Sequence, residues 1–167
     1  VGQCYGISGN GSNAGRGNTE CIINGGLIEA SSIITGEDNC GYYQPQFNSR
    51  MTFNDGVIRG RSAIEIRSGD FTMNGGIAEA YGFANECMEK NGSGPTSKGA
   101  AVAIAQHTTK QPINVIINNG QLIAECPFIE GNPMGNDELS IASVKAEING
   151  GSFRSVGIGG RPFQAIN

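Results

Sequence analysis

Phe71-Thr72-Met73-Asn74-Gly75-Gly76 is the clearest copy of a motif that recurs along this chain. An apolar residue, a variable residue and a second apolar residue are followed by Asn and, two positions later, by Gly. Five copies begin at positions 21, 51, 71, 115 and 146. Such a repeat, with Asn and Gly always in the same phase, is typical of a solenoid, in which each copy forms one unit of a stack.

The alternation within each copy is that of a β-strand, because residues i and i+2 of a strand point to the same side. We therefore expect Phe71 and Met73 to point inward and Thr72 outward. The equivalent inward residues of the other copies are Met51, Phe53, Val115, Ile117, Ala146 and Ile148. A second strand after the turn places inward Ile28, Ile58, Ala78, Leu122 and Phe153. A third strand, at 63–67 or 102–104, completes the coil, with Ile64, Ile66, Val102 and Ile104 inside.

These three strands per coil predict an all-β, right-handed, three-faced parallel β-helix (β-solenoid) of about five coils. The motif Asn residues are 30, 20, 44 and 31 positions apart, so the shortest interval is a bare coil and the longer ones contain loops, at about 36–49, 82–98 and 131–143. We assign 21–167 to the β-helix domain and 1–20 to an N-terminal cap or attachment segment. The hairpins of a β-sandwich or barrel would not keep Asn in phase five times.

The Asn and Gly residues at the turn have separate physical roles. Asn tolerates left-handed backbone and bonds nearby backbone groups, and stacked Asn side chains can form an amide ladder. The predicted structural ladder consists of Asn24, Asn54, Asn74, Asn118 and Asn149. Gly supplies a backbone conformation that a Cβ would obstruct, at Gly26, Gly56, Gly76, Gly120 and Gly151.

Composition narrows the classes of partner. A net charge of −4 and a pI near 5.0 give no electrostatic reason to expect nucleic acid. No apolar run approaches the roughly 20 residues of a transmembrane helix, so no membrane partner is expected. No motif indicates a cofactor or a metal. The 5 cysteines are odd in number and lack metal-binding spacing. We expect them to be reduced and structural, which favours assembly inside a cell.

Three features together resemble a family of repeat proteins encoded in phages and prophages of gut Firmicutes. They are the Asn-Gly-Gly coils, Ala-Ile-Glu-Ile-Arg-Ser-Gly at 63–69 and Gly-Ala-Ala-Val-Ala-Ile-Ala-Gln-His-Thr-Thr-Lys at 99–110. The resemblance implies a virion-surface protein of the head-fibre or decoration type, assembled in the host cytoplasm. It also implies other virion proteins as partners, attachment to the host surface and no assigned catalytic site.

Aromatic residues outside the strand pattern are candidates for contact with cell-surface glycans, because sugar rings stack on aromatic faces. Anchoring of loops onto the solenoid is the alternative role for the same residues. The set consists of Tyr42, Tyr43, Phe47, Tyr81 and Phe83.

An outward column of alternating charge is expected on the second face, where Glu29, Arg59 and Glu79 occupy the same position of successive coils. This column could form an anionic or glycan-binding stripe. We favour a solvated ladder that contributes at most about 1 kcal/mol per pair.

An outward apolar stripe predicts a homo-oligomer. Just after the turn, successive coils carry Leu27, Val57 and Ile77, while Ile22 and Ile116 point outward on the neighbouring face. A contiguous apolar stripe usually marks a partner surface or a covering loop. A trimer of parallel prisms is the specific hypothesis.

Pectate-lyase-like enzymes share this fold, but fold alone does not carry chemistry. Sugar cleavage needs clustered carboxylates, whereas Glu65 has Ala103 as its counterpart in the next coil and the remaining acidic pairs lie in different loops. His107 has no partner at metal or triad spacing. We therefore expect a non-enzymatic structural protein. The alternatives are a β-helix module excised from a secreted, extracellular or cell-surface bacterial adhesin, and a polysaccharide-degrading enzyme.

Overall fold

The computed structural model describes residues 5–9, 18–30, 40–45, 48–81, 97–106, 111–131 and 143–157, together with the backbone of 164–166. Within these residues sixteen strands form three sheets, and every strand pair is parallel. The predicted three-faced parallel β-helix is confirmed. None of the described residues belongs to a helix that could span a membrane.

Each sheet is a stack of strands from successive coils, and we name the sheets I, II and III in the order in which the chain visits them. Sheet I contains β1 (Tyr5–Ser8), β4 (Cys40–Gln44), β7 (Ser62–Ile66), β10 (Ala100–Ala105), β13 (Cys126–Gly131) and β16 (Gln164–Ile166). Sheet II contains β2 (Thr19–Ile23), β5 (Ser49–Phe53), β8 (Gly69–Met73), β11 (Ile113–Ile117) and β14 (Val144–Ile148). Sheet III contains β3 (Leu27–Glu29), β6 (Val57–Gly60), β9 (Ile77–Ala80), β12 (Gln121–Ala124) and β15 (Ser152–Ser155).

The chain therefore makes five coils of three strands, and β16 adds a sixth strand to sheet I. The first coil begins at Tyr5, where β1 pairs with β4, so Tyr5–Ser8 belongs to the solenoid. A cap or attachment role for the 1–20 segment stays a prediction. The expected loop at 36–49 contains β4, because Cys40–Gln44 supplies the first face of the second coil. Its Cys-Gly-Tyr-Tyr-Gln sequence lacks the alternation on which the sequence-based strands were assigned.

The core lies inside the prism, and the predicted inward columns form it in the first four coils. Sheet II stacks Met51 on Phe71 and Phe71 on Val115 in register. The buried members of the predicted set are Met51, Phe53, Ile58, Ile64, Ile66, Phe71, Met73, Ala78, Val102, Ile104, Val115, Ile117 and Leu122. Ile148 was also predicted to be buried, and that prediction is wrong, because its side chain is 45% exposed.

The turn between sheets II and III requires glycine at its second Gly position. Gly76 has a φ of +78°, in the region that favours glycine. A Cβ built on Gly76 would lie 2.5 Å from Cζ of Phe53 and 2.9 Å from the carbonyl oxygen of Gly56. Any side chain here would collide with the coil beneath, so the motif glycine permits close stacking of the coils.

Sheet I differs from the other two sheets because both faces of its four central strands are buried. Every residue of β4, β7 and β10 is buried, and so is every residue of β13 except Glu130. Sheets II and III show alternating burial in their middle coils, with one face in the core and the other toward solvent. The open outer surfaces of the described molecule are therefore those of sheets II and III.

Candidate functional site

The corner between sheets II and III carries the predicted Asn ladder. The side-chain amide nitrogen of each motif Asn donates to the side-chain oxygen of the Asn in the preceding coil. These bonds measure 2.7 Å from Asn54 to Asn24 and 2.8 Å from Asn74 to Asn54, from Asn118 to Asn74 and from Asn149 to Asn118. The ladder is confirmed, and it has a direction, since every donor points toward the first coil.

The predicted apolar stripe runs along the sheet III side of this corner, whereas the flanking column on sheet II contains Ile22, Thr52, Thr72 and Ile116. Leu27, Val57 and Ile77 stack in register on sheet III, and Ile22 begins the flanking column on sheet II. Leu27 and Ile22 are each 56% exposed, and Val57 and Ile77 are half-buried. The stripe is most apolar at the first coil. In the fifth coil the equivalent positions hold Ser152 and Glu147.

The fifth coil is open on its outer side in sheets II and III. Among the described strands, β14 pairs only with β11, and β15 only with β12. Among the described strands none stacks on the outer side of Ile148, which explains why it is exposed although its column points inward. Beside it, hydrogen bonds from Asn149 (3.1 Å) and Lys145 lower the pKa of the Glu147 carboxyl below its ordinary value.

The predicted charge column on sheet III forms one close ion pair. Arg59 lies 2.5 Å from Oε2 of Glu29, and both side chains are partly exposed. Glu79 is in register with Arg59 on the other side. Solvent screening limits such a pair to at most about 1 kcal/mol. A modest contribution of the column to stability stays a prediction.

Most of the predicted aromatic platform is not available to a glycan. Tyr42 and Tyr43 are buried, so the prediction that they contact a ligand is wrong for both. The Tyr43 ring stacks on Tyr5, with centroids 5.1 Å apart. Tyr81 is 48% exposed and donates its hydroxyl hydrogen to the Ala30 carbonyl at 2.6 Å. Phe47 and Phe83 lie outside the described residues.

A polar cavity of about 310 Å³ lies where sheet II meets the turns that precede it. Asp70 accepts a hydrogen bond from Asn114 at 2.8 Å, and Arg50 occupies the same column in the coil below. The hydroxyls of Ser49 and Ser68 are buried without a hydrogen-bond partner in the described part of the chain. Unsatisfied buried hydroxyls beside a polar cavity are groups that a ligand or water can satisfy. The sequence pattern held no signal for this site, because its residues come from four separate coils.

Sheet I carries a buried ion pair for which the repeat pattern offers no signal. Oε1 of Glu65 accepts from Nε of Arg67 at 2.9 Å, and both side chains are almost completely buried. Oε2 of Glu65 accepts from the backbone N–H and the hydroxyl of Ser97, at 2.9 and 2.7 Å. The Arg67 guanidinium lies 5.4 Å from the centre of the Tyr43 ring. This carboxylate is fully engaged in structural contacts, and its neighbour in the next coil is Ala103, as predicted.

The cysteines only partly follow the sequence-based expectation. Cys21 and Cys40 are free thiols. Burial raises the pKa of Cys40 well above its ordinary value, and the Glu65 carboxylate raises it further. Cys126 forms a disulfide bond, so the expectation that all cysteines are reduced is wrong.

Across the described ranges, no three His, Cys, Asp or Glu side chains converge to form a candidate metal site. His107 lies outside those ranges. Comparisons with protein-family models, with curated proteins and with solved structures find no match to this chain.

Proposed function

We propose that this protein is a non-enzymatic structural component of a surface assembly, with a virion surface as the setting that the sequence resemblance implies. The observation that carries the proposal is the apolar stripe along the Asn corner. Ile22 and Leu27, at 56% exposure each, lie in the strands before and after that corner in the first coil. In this role the protein forms a homo-oligomer, with a trimer of parallel prisms favoured, and contacts other surface proteins.

The stripe suits a lateral contact between copies for a physical reason. β-Branched and leucine side chains on a regular solenoid form a straight, shallow ridge, and a second copy can bury the same ridge with the same spacing. Burial of exposed apolar area contributes about 25 cal/mol per Å². Contiguous apolar surface of this kind usually marks a partner surface.

Sedimentation velocity of the full chain tests the proposal. We expect wild-type protein to form oligomers and the double variant Ile22→Thr/Leu27→Thr to shift toward monomer, because Thr keeps strand propensity but removes apolar area. Gln121→Thr changes the polar end of the same column and serves as the matched control. A wild-type protein that remains monomeric at every concentration would contradict the proposal.

Contact with glycans, as a second part of this role, is best placed at the polar cavity of sheet II. Buried serine hydroxyls, an Asp–Asn pair and Arg50 offer the donors and acceptors that sugar hydroxyls require. Saturation-transfer NMR with a panel of free monosaccharides provides the test. We expect binding that Asp70→Ala abolishes and that Glu79→Ala, on sheet III, leaves intact. Absence of binding by every sugar of the panel would contradict this site.

The disulfide bond of Cys126 favours a second candidate, a β-helix module of a secreted adhesin. Disulfides persist mainly in oxidising compartments. Thiol alkylation of protein isolated from its native source, followed by mass spectrometry, separates the two settings. Oxidised Cys126 supports an extracellular setting, and reduced Cys126 supports assembly in the cytoplasm.

A further inference from the structure

We infer that the fifth coil of one copy binds the first coil of a second copy, so that the solenoid continues head to tail. This inference rests on the self-association proposed above but uses a different surface. The lateral contact involves the stripe along the corner, whereas this contact involves the two ends of the prism. The fifth coil and the first coil are complementary in four respects.

The first feature is strand pairing. Among the described strands, β14 and β15 form one edge of sheets II and III, and β2 and β3 form the opposite edge. All pairs within the sheets are parallel and in regular register, so β2 and β3 of an incoming copy have the orientation needed to extend them. Unpaired strand edges are ready templates for such pairing.

The second feature is the core. If the register of coils two to five continues across the junction, Ile148 of one copy stacks on Ile23 of the next. Phe153, which is half-buried, stacks on the half-buried Ile28. The junction would thus bury the apolar residues that the open fifth coil leaves exposed.

The third feature is charge. In the same register, Lys145 would lie beside Glu20 and Arg154 beside Glu29. Lys145 is 65% exposed, and Arg154 and Glu20 are exposed, so these side chains are accessible to a second copy. A junction of two fifth coils would instead bring Lys145 and Arg154 of one copy near Lys145 and Arg154 of the other, and these like charges would repel. The charge pattern therefore favours head-to-tail over tail-to-tail contact.

The fourth feature is the direction of the Asn ladder. Every amide nitrogen in the ladder donates toward the first coil, so Asn24 has an amide nitrogen to offer and Asn149 has a side-chain oxygen to accept it. The backbone follows the same rule, as in the 2.8 Å bond from the Asn149 amide to the Ile117 carbonyl. Across the junction the equivalent pair is the Asn24 amide and the Ile148 carbonyl.

Sheet I adds one condition to this arrangement. Strand β16 pairs with β13 through Gln164–Ile166 and occupies the position that β1 of the incoming copy would take. The junction therefore includes an exchange in which β1 replaces β16 on β13. Both strands pair in parallel over three registered residues, so the exchange conserves the type and the approximate number of backbone bonds.

Charge reversal with a mixing step tests the inference on the full chain. The tail variant is Lys145→Glu/Arg154→Glu, and the head variant is Glu20→Lys/Glu29→Lys. Each variant alone would place like charges at the junction, and we expect about tenfold weaker head-to-tail association or more, in sedimentation velocity at low salt. An equimolar mixture restores opposite charges at every junction, so we expect association to return. Thermal melts of each variant confirm that it folds.

The outcomes separate this inference from the lateral contact. Association that both charge variants retain, or that mixing fails to restore, would overturn the head-to-tail junction. If Ile22→Thr/Leu27→Thr dissolves the oligomer at the same time, the lateral proposal stands alone. If Ile22→Thr/Leu27→Thr associates like wild type, and mixing restores association of the two charge variants, the head-to-tail junction is supported and the lateral contact is contradicted. Monomeric wild-type protein would overturn both.

Discussion

The third and fifth coils are built from the same motif, yet they differ in what lies on either side of them. The third coil, β7–β9, is stacked between two other coils, and its Phe71 and Met73 are fully buried. In the fifth coil, Ile148 belongs to the same inward column as Met73 but is 45% exposed. In this solenoid a residue's burial therefore depends on its neighbours above and below as much as on its own motif.

Their charged pairs show the same contrast. The third and the fifth coil each have a basic residue and a glutamate two positions apart. The distance from the side-chain nitrogen to the carboxylate oxygen is 2.9 Å in Arg67–Glu65 and 3.0 Å in Lys145–Glu147. The first pair is buried in sheet I, and the second is exposed on sheet II. The two pairs have similar geometry, but loss of one partner should destabilise the protein much more for the buried pair, because water screens only the exposed one.

The largest expected difference between the two coils concerns their apolar residues. Phe71→Ala should lower the free energy of unfolding by about 3–5 kcal/mol, the range for a core aromatic residue. Ile148→Ala should cost about 1 kcal/mol, since much of its side chain already contacts water. Chemical denaturation monitored by circular dichroism measures both. A Phe71→Ala loss below that of Ile148→Ala would contradict the coil register.

The charged pairs should give the next largest difference. Glu65→Ala leaves Arg67 buried without its carboxylate partner, and we expect a loss of about 3 kcal/mol. Glu147→Ala leaves Lys145 in water and should change stability little.

The double replacement Glu65→Leu/Arg67→Met removes both buried charges and is the control. It should recover much of the loss, because apolar residues of similar size can replace a buried pair. Equal melting temperatures for Glu65→Ala and Glu147→Ala would show that the Glu65 pair does not depend on burial.

The sequence was sufficient to predict the corner and the inward columns because Asn and Gly recur there in constant phase. The strands of sheet I are harder to predict from the sequence. A sheet covered on both faces reads as a continuous apolar or small run, as in Ala100–Ala105, rather than as an alternation. For that reason Tyr42 and Tyr43 fall outside the strand pattern of the sequence, although both lie in β4 and are buried.

Two other features could not follow from the repeat alone. Ile148 is exposed because, among the described strands, β14 is the last of sheet II, and no residue of the motif encodes that position in the stack. The cavity of sheet II brings together residues of four coils, among them Asn18, Ser49, Ser68 and Asn114. Their proximity depends on the lengths of the intervening loops as well as on the motif.

The Asn ladder provides the smallest expected difference. Asn74→Ala removes two ladder bonds, one donated to Asn54 and one accepted from Asn118, whereas Asn149→Ala removes one. Each bond contributes about 0.5–1.5 kcal/mol, with values near the lower limit for exposed side chains. We therefore expect Asn74→Ala to cost about 1–2 kcal/mol. Asn149→Ala removes one ladder bond and, at neutral pH, the 3.1 Å bond to Glu147 as well, so the comparison is made in acid, where the second bond contributes less and the loss should be about half that of Asn74→Ala. Equal losses in thermal melts in acid would contradict the ladder.

A pH titration distinguishes the two Asn variants further. The hydrogen bond from Asn149 is the main cause of the lowered pKa of Glu147, so Asn149→Ala should raise that pKa toward its ordinary value, as followed by NMR. Because the folded-state pKa is depressed, the associated stabilisation is present above the ordinary carboxyl pKa and is lost as the pH falls through the folded value. The stability gap between wild type and Asn149→Ala should thus narrow in acid. Asn74→Ala, which leaves Asn149 and Glu147 intact, should leave the pKa of Glu147 unchanged.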